Sequence, residues 1–225
     1  MCGIAGWIDL RNDLTSQQQI VEAMSETLSN RGPDASGMWV SPHALIAHRR
    51  LAVVDPAGGG QPMVRERGSW KYVITYNGEL YNTLDLRRRL EKRGHKFTSS
   101  SDTEVLLVSY IEWGPGCVEH LNGIYAFGIW SEKDHSLFLC RDRFGVKPLF
   151  YSTYENSVIF GSEPKALLAH PYIKPEVGSE GLAEIFALGP ARTPGHGLYK
   201  GMSEVKPAHY ILFSPKGICI RKYWS

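Results

Sequence analysis

Long apolar runs are missing from this chain. None approaches the ~18–20 residues that a membrane-spanning helix needs, so neither a helical membrane protein nor a membrane partner is expected. Cysteines are few: Cys2, Cys117, Cys140 and Cys219 in 225 residues. Their spacing fits neither a zinc pattern nor a Cys-x-x-Cys redox motif, so a metal-stapled module and a thioredoxin-like oxidoreductase are set aside. An excess of charge is also absent. The formal charge of +2 is too small to point to nucleic acid or an anionic membrane. There is no internal repeat and no low-complexity tract. The N-terminal residues carry no basic segment and reach Asp9 early, unlike a signal peptide. The expectation is a cytoplasmic protein whose thiols stay reduced.

What is present is ordinary globular material, with 43% hydrophobic and 21% charged residues. Residues 15–29 read as a helix, with Ile20, Val21, Met24 and Leu28 at helical spacing and Thr15 or Ser16 as its cap. Leu84–Arg93 and Thr103–Trp113 read as further helices, the second capped by Asp102. Short helices are expected over Pro164–Ala169 and residues 180–188. Strand-like stretches fall at 37–40, 44–47, 51–54 and 70–76. Three pairs read as hairpins: 125–130 with 136–140, 149–151 with 157–160, and 210–213 with 217–220. Cys140 and Cys219 lie in such apolar strands and read as buried small hydrophobes. Cys117 lies in a turn. Hairpins with interspersed helices, and no regular βαβ alternation, indicate an α+β fold of antiparallel sheets.

Cys2 is distinctive because of its position. A thiol is a weak nucleophile until it loses its proton to a base. An N-terminal residue carries such a base itself, since α-amines ionise at roughly 7.7–8.0. Removal of Met1 makes Cys2 both nucleophile and base. Gly3, Ala5 and Gly6 keep the segment slim for an approaching substrate, and Ile4 and Ile8 anchor it in a sheet.

Nine segments, in order, resemble the glutamine amidotransferase domain of asparagine synthetases, the class with an N-terminal nucleophile. They are Met1-Cys-Gly-Ile-Ala-Gly6, Arg31-Gly-Pro-Asp34, His48-Arg-Arg-Leu-Ala-Val-Val-Asp55, Gly60-Gln-Pro-Met63, Tyr76-Asn-Gly-Glu-Leu-Tyr-Asn82, Ser101-Asp-Thr-Glu-Val-Leu106, Leu121-Asn-Gly-Ile-Tyr-Ala-Phe127, Arg141-Asp-Arg-Phe-Gly-Val-Lys-Pro-Leu149 and Gly161-Ser-Glu-Pro-Lys-Ala166. One such motif is weak; nine in sequence are specific.

The resemblance implies a four-layer αββα sandwich of two antiparallel sheets, occupying residues 1–225 as a single domain. It implies that Cys2 attacks the side-chain amide of glutamine, releasing ammonia and leaving a glutamyl thioester for water. Asn77 and Gly78 correspond to the oxyanion hole, through the Asn side-chain amide and the Gly backbone N–H. Arg50 corresponds to the residue holding the α-carboxylate, and Asp102 to the partner of the α-ammonium. Leu51, Val53, Val54 and Glu79 correspond to positions lining the pocket. Taken alone, Asn77-Gly78 is also a hairpin-turn signal. Arg31 and Asp34 are expected to order the loop near Cys2, Arg141 and Asp142 to form a structural pair, and His48 to pack or hydrogen-bond locally.

The Ser-Gly-Gly-x-Asp-Ser pyrophosphate loop of the synthetase domain does not occur here. ATP and Mg2+ therefore belong to a synthetase domain in the same or a partner chain, and no metal or cofactor is assigned to this one. Aspartate is the default acceptor by resemblance. By the same resemblance, one alternative is that the domain feeds amidation of another carboxylate, a cell-wall, antibiotic or polysaccharide precursor, and a second is a non-catalytic glutamine-binding regulatory module. A homodimer is left open.

Overall fold

A computed structural model describes residues 1–52, 59–189 and 193–225. Its strands are β1 (Gly3–Asp9), β2 (Ala35–Val40), β3 (Ala44–Arg50), β4 (Met63–Arg67), β5 (Trp70–Leu80), β6 (Gly123–Ser131), β7 (Ser136–Arg141), β8 (Phe150–Tyr154), β9 (Ser157–Gly161), β10 (Met202–Glu204), β11 (His209–Ser214) and β12 (Gly217–Lys222). Its helices are α1 (Gln18–Glu26), α2 (Thr83–Glu91), α3 (Asp102–Trp113), α4 (Pro164–Leu168) and α5 (Ser179–Leu188). The strands form two six-stranded antiparallel sheets, ordered β10-β8-β9-β1-β3-β2 and β12-β11-β7-β6-β5-β4.

Period-two alternation divides the core into three layers of side chains. Along β1, Ile4 and Ile8 join Ala44 and Ile46 of β3 and meet Val73, Ala126, Trp130 and Leu139 of the other sheet. Ala5 and Trp7 point the opposite way, against Val21 and Met24 of α1 and Ala166 of α4. In β5, Tyr72, Ile74 and Tyr76 pack beneath α2 and α3, against Leu86, Leu90, Val105 and Val108. The result is the expected αββα sandwich. Because β1 is covered on both faces, all seven of its residues are buried, and the strand reads as an apolar run. Each large apolar side chain fully buried here contributes about 1.5–3 kcal/mol from removal of its surface from water.

Several boundaries differ from the sequence reading. Asn77 and Gly78 form no turn: β5 continues through them to Leu80, paired with β6 in the registers Asn77–Ala126 and Gly78–Tyr125. The cap of α3 is Ser101, whose side chain accepts from the Thr103 N–H, so Asp102 is the first helical residue. Thr15 and Ser16 do not cap α1, which begins after Gln17; Thr15 instead bonds Asp13. β3 ends at Arg50, so Leu51 and Ala52 lie outside any strand. The edge strands β4 and β10 were not foreseen, being short and partly polar. Cys140 is buried as expected, but Cys219 is only half-buried, because β12 is an edge strand.

Candidate active site

Cys2 immediately precedes β1, whose pairing with β3 begins at Gly3–Arg49. The Leu51 N–H lies 3.4 Å from its sulfur, and the Leu51 carbonyl oxygen 3.6 Å away. Leu51 thus meets the nucleophile through its backbone. Arg31 holds the residue from the other side: its Nε donates to the Cys2 carbonyl at 3.0 Å, and its Nη1 pairs with Glu163 at 2.7 Å. Burial works against the Glu163 carboxylate, yet bonds from Arg31 and Lys165 hold its pKa below the usual value. The Asp34 carboxylate accepts from the Ala52 N–H at 2.8 Å. Arg31 and Asp34 therefore order the turns around Cys2, as the sequence suggested.

The small residues of β1 serve packing rather than substrate access. A Cβ on Gly3 would lie 2.8 Å from the Leu28 side chain, and one on Gly6 would lie 2.5 Å from the Phe160 ring.

β5 supplies the opposite wall. The Thr75 hydroxyl donates to the Ala47 carbonyl at 3.0 Å, so odd-numbered residues of β5 face the first sheet. Asn77 shares that face by alternation. It is 2% exposed, and its Nδ2 has no hydrogen-bond partner among the described residues. A buried amide donor without an acceptor is uncommon and points to an absent ligand or water. Gly78 admits no side chain, since a Cβ would fall 2.4 Å from the Ile124 carbonyl oxygen. Glu79 is exposed at the rim.

Tyr76 points the other way, toward the start of α3. Its hydroxyl donates to Asp102 Oδ2 at 2.8 Å, and the Leu80 N–H donates to the same oxygen at 3.1 Å. The first turn of a helix favours a carboxylate. The loop before α3 is held by Glu104, which accepts from the Thr98 and Ser99 N–H groups and hydroxyls and pairs with Arg65.

These groups converge on one cavity of about 200 Å³. Of the sequence-predicted residues, Cys2, Arg50, Leu51, Asn77, Gly78, Glu79 and Asp102 line it together. Val53 and Val54 lie outside the described residues. Met1 also lines it, covering the amine that Cys2 would expose. Sequence reasoning assigned no role in the site to Gln61, Tyr76, Thr103 or Lys147, which also line the cavity. All four lie inside the matching motifs; Gln61, Thr103 and Lys147 are polar, and Tyr76 reads as core because it belongs to an apolar strand.

His48 packs, being buried as one of the two expected readings had it, but its hydrogen bond is not local. Its Nε2 lies 3.2 Å from the Tyr76 carbonyl oxygen, joining β3 to β5 across the two sheets. Burial lowers its pKa to about 4, so the imidazole is neutral. Arg141 and Asp142 are structural but not paired with each other. Arg141 pairs with Glu204 at 3.0 Å and donates to three backbone carbonyls, while Asp142 receives four backbone N–H groups. Among the described residues, no group of three or more His, Cys, Asp or Glu is arranged to hold a metal ion.

Comparison with known proteins bears on the family and the fold. The profile of a family described as "Glutamine amidotransferase domain" matches residues 1–224. Asparagine synthetase [glutamine-hydrolyzing] 3 of Bacillus subtilis is 56% identical over 225 residues, covering all of this chain and 37% of that protein. Asparagine synthetase [glutamine-hydrolyzing] 1 of the same organism is 39% identical over 170 residues, covering 75% of this chain and 27% of its own length. The chain therefore spans well under half of either relative. Among solved structures, an allosteric regulatory enzyme of purine biosynthesis shares the fold at a TM-score of 0.71 and 22% identity, over 99% of this chain and 49% of that one.

Proposed function

Because the chain belongs to the glutamine amidotransferase domain family, we propose that it hydrolyses glutamine to glutamate and ammonia with Cys2 as nucleophile. One observation carries the reading: the thiol of Cys2 and the buried amide of Asn77, whose Nδ2 has no partner among the described residues, line the same cavity. A nucleophile needs a donor waiting where negative charge develops, and such a donor is worth ~10²–10³ in rate.

The proposed chemistry begins with removal of Met1. The freed α-amine of Cys2 takes the thiol proton, and sulfur bonds to the amide carbon of glutamine. Charge moves to the amide oxygen, which accepts from Asn77 Nδ2 and the Gly78 N–H. The protonated amine then gives its proton to the leaving nitrogen, the C–N bond breaks, and ammonia departs. Water, deprotonated by the same amine, attacks the thioester, and the C–S bond breaks to yield glutamate and free thiol. Arg50 pairs with the α-carboxylate as a fork, and Asp102 with the α-ammonium. Leu51 and Glu79 shape the pocket, and Val53 and Val54 take the same role in the proposal.

In a longer chain like its relatives, the ammonia would pass to a synthetase part using ATP and Mg2+ to amidate an acceptor, with aspartate the first candidate. The setting proposed is the cytoplasm, consistent with four free thiols and with no described helix long and apolar enough to cross a membrane.

Intact mass before and after exposure to a glutamine-like diazo-ketone tests the reading. The expected result is a chain lacking one methionine that gains a single label, lost on Cys2→Ala. A Met1-free chain that hydrolyses no glutamine and takes no label would contradict it.

A further inference from the structure

We propose that the phenol of Tyr76 is a positioning residue that sets the site's selectivity for an amide bearing a free α-ammonium, acting through Asp102. The inference rests on the glutaminase reading and concerns how the site tells glutamine from its des-amino analogue.

Tyr76 is 2% exposed and its ring lies in the core beneath α3, yet its hydroxyl reaches the cavity edge to meet Asp102 Oδ2 at 2.8 Å. The Leu80 N–H lies 3.1 Å from the same oxygen. Two donors from β5 on one oxygen fix the rotation of the carboxylate, so Oδ1 is the oxygen an incoming ammonium meets. A carboxylate held by one donor retains a swivel; held by two, it presents one face. Burial first, and then the neighbouring Asp102 charge, raise the phenol pKa well above its usual value. The hydroxyl therefore remains protonated, a donor at every working pH and never a base.

The strut is itself braced. β4 stops pairing with β5 at the Met63–Ile74 register, leaving the Tyr76 N–H without a strand partner on that side. Gln61 fills the gap: its Oε1 accepts from the Tyr76 N–H at 2.6 Å, and its Nε2 donates to the Thr103 hydroxyl at 3.3 Å. One side chain thus ties Tyr76 to the residue after Asp102. Sheet and helix meet at this point through Tyr76–Asp102 and Gln61 together, and both connections end beside the proposed ammonium position.

The experiment compares the Met1-free chain with Tyr76→Phe on two substrates, glutamine and glutaramate, which is glutamine without its α-amino group. Losing a hydrogen bond to a charged group is expected to lower the kcat/KM ratio of glutamine to glutaramate about tenfold, mostly through KM for glutamine. An equal fall on both substrates would overturn the inference and mark Tyr76 as a packing residue. So would an unchanged ratio. A second variant guards against a folding defect: Gln61→Met, which removes the brace without touching the core ring, should shift the ratio in the same direction by a smaller factor. A Gln61→Met ratio moving the opposite way would count against the proposal. If the unaltered chain hydrolyses neither substrate, the glutaminase reading fails and this inference falls with it, an outcome distinct from activity with an unmoved ratio.

Discussion

The guanidinium of Arg31 spans two chain segments, with Nε 3.0 Å from the backbone oxygen of Cys2 and Nη1 2.7 Å from Glu163. The residue that carries the proposed nucleophile has no strand partner of its own, since the β1 pairing starts at Gly3. Arg31 supplies the missing constraint. A lysine keeps the charge but not the planar fork, so Arg31→Lys should free the Cys2 backbone. Small displacements of a reacting group cost up to ~10² in rate, and a fall in kcat of about 10–100-fold is expected. Labelling of Cys2 by a diazo-ketone under saturating conditions reads this step. Labelling at the unaltered rate would show that Arg31 does not position the thiol.

Asn77→Ala tests the oxyanion donor separately from the fold. Nδ2 has no protein partner among the described residues, so its removal breaks no internal hydrogen bond through that atom. The expected outcome is a kcat lower by ~10²–10³ with KM changed only slightly. Urea unfolding should report near-normal stability. A loss seen in KM alone would assign Asn77 to substrate binding instead.

The site residues legible in the sequence are those whose chemistry follows from identity and order. Cys2 stands out by its position, and Arg50, Asn77 and Asp102 by the motifs around them; the structure gathers all four on one cavity. The antiparallel α+β class too was legible, in three hairpin pairs and the lack of regular βαβ alternation, whereas the four layers followed from the family resemblance: β1 is buried on both faces and β5 over most of its length, so neither strand shows the alternation of a half-buried sheet. What stayed hidden depends on contacts distant in sequence. Tyr76 reads as one more aromatic in an apolar strand until α3 brings Asp102 to its hydroxyl, 26 residues away. His48 reads as local until the sheets stack and place it under the Tyr76 carbonyl. Asn77-Gly78 carries the signature of a turn, and pairing with β6 overrides it. Ser101 and Asp102 are both good caps, and only the bond to the Thr103 N–H distinguishes them.

Two buried histidines make stability depend on pH. Burial lowers His48 to about 4 and His170 to about 4, against 6.5 as the ordinary value. Both are neutral in the folded state at neutral pH. Below pH 6.5 the unfolded chain binds protons that the folded chain refuses, so stability is full above 6.5 and declines toward pH 4. Each histidine contributes up to about 1.4 kcal/mol per pH unit across that window. Chemical denaturation at closely spaced pH values should show the decline, and His48→Gln should remove about half of its slope. A flat profile between pH 6.5 and 4.5 would mean that neither ring is shielded as the structure indicates.

Asp142 offers a test of how the cavity wall is supported. Its carboxylate is fully buried; Oδ1 accepts from the Phe144 and Val146 N–H groups, each at 3.0 Å, and Oδ2 from those of Lys147 at 3.0 Å and Tyr125 at 3.2 Å. Four donors on one carboxylate shape the tight loop that delivers Lys147 to the cavity. Asp142→Asn replaces one acceptor oxygen by a donor, leaving two backbone N–H groups facing an amide N–H₂. An unmade bond at a buried group costs about 1–3 kcal/mol, so a loss of about 3 kcal/mol is expected. The loss should be local before it is global. Amide exchange at Phe144, Val146 and Lys147 should rise while that of β1 and β5 rises less. KM for glutamine should climb as Lys147 loses its fixed place. Unchanged protection at those three amides would show that the loop holds its shape without the carboxylate, and that the wall is supported by the Arg141 contacts alone.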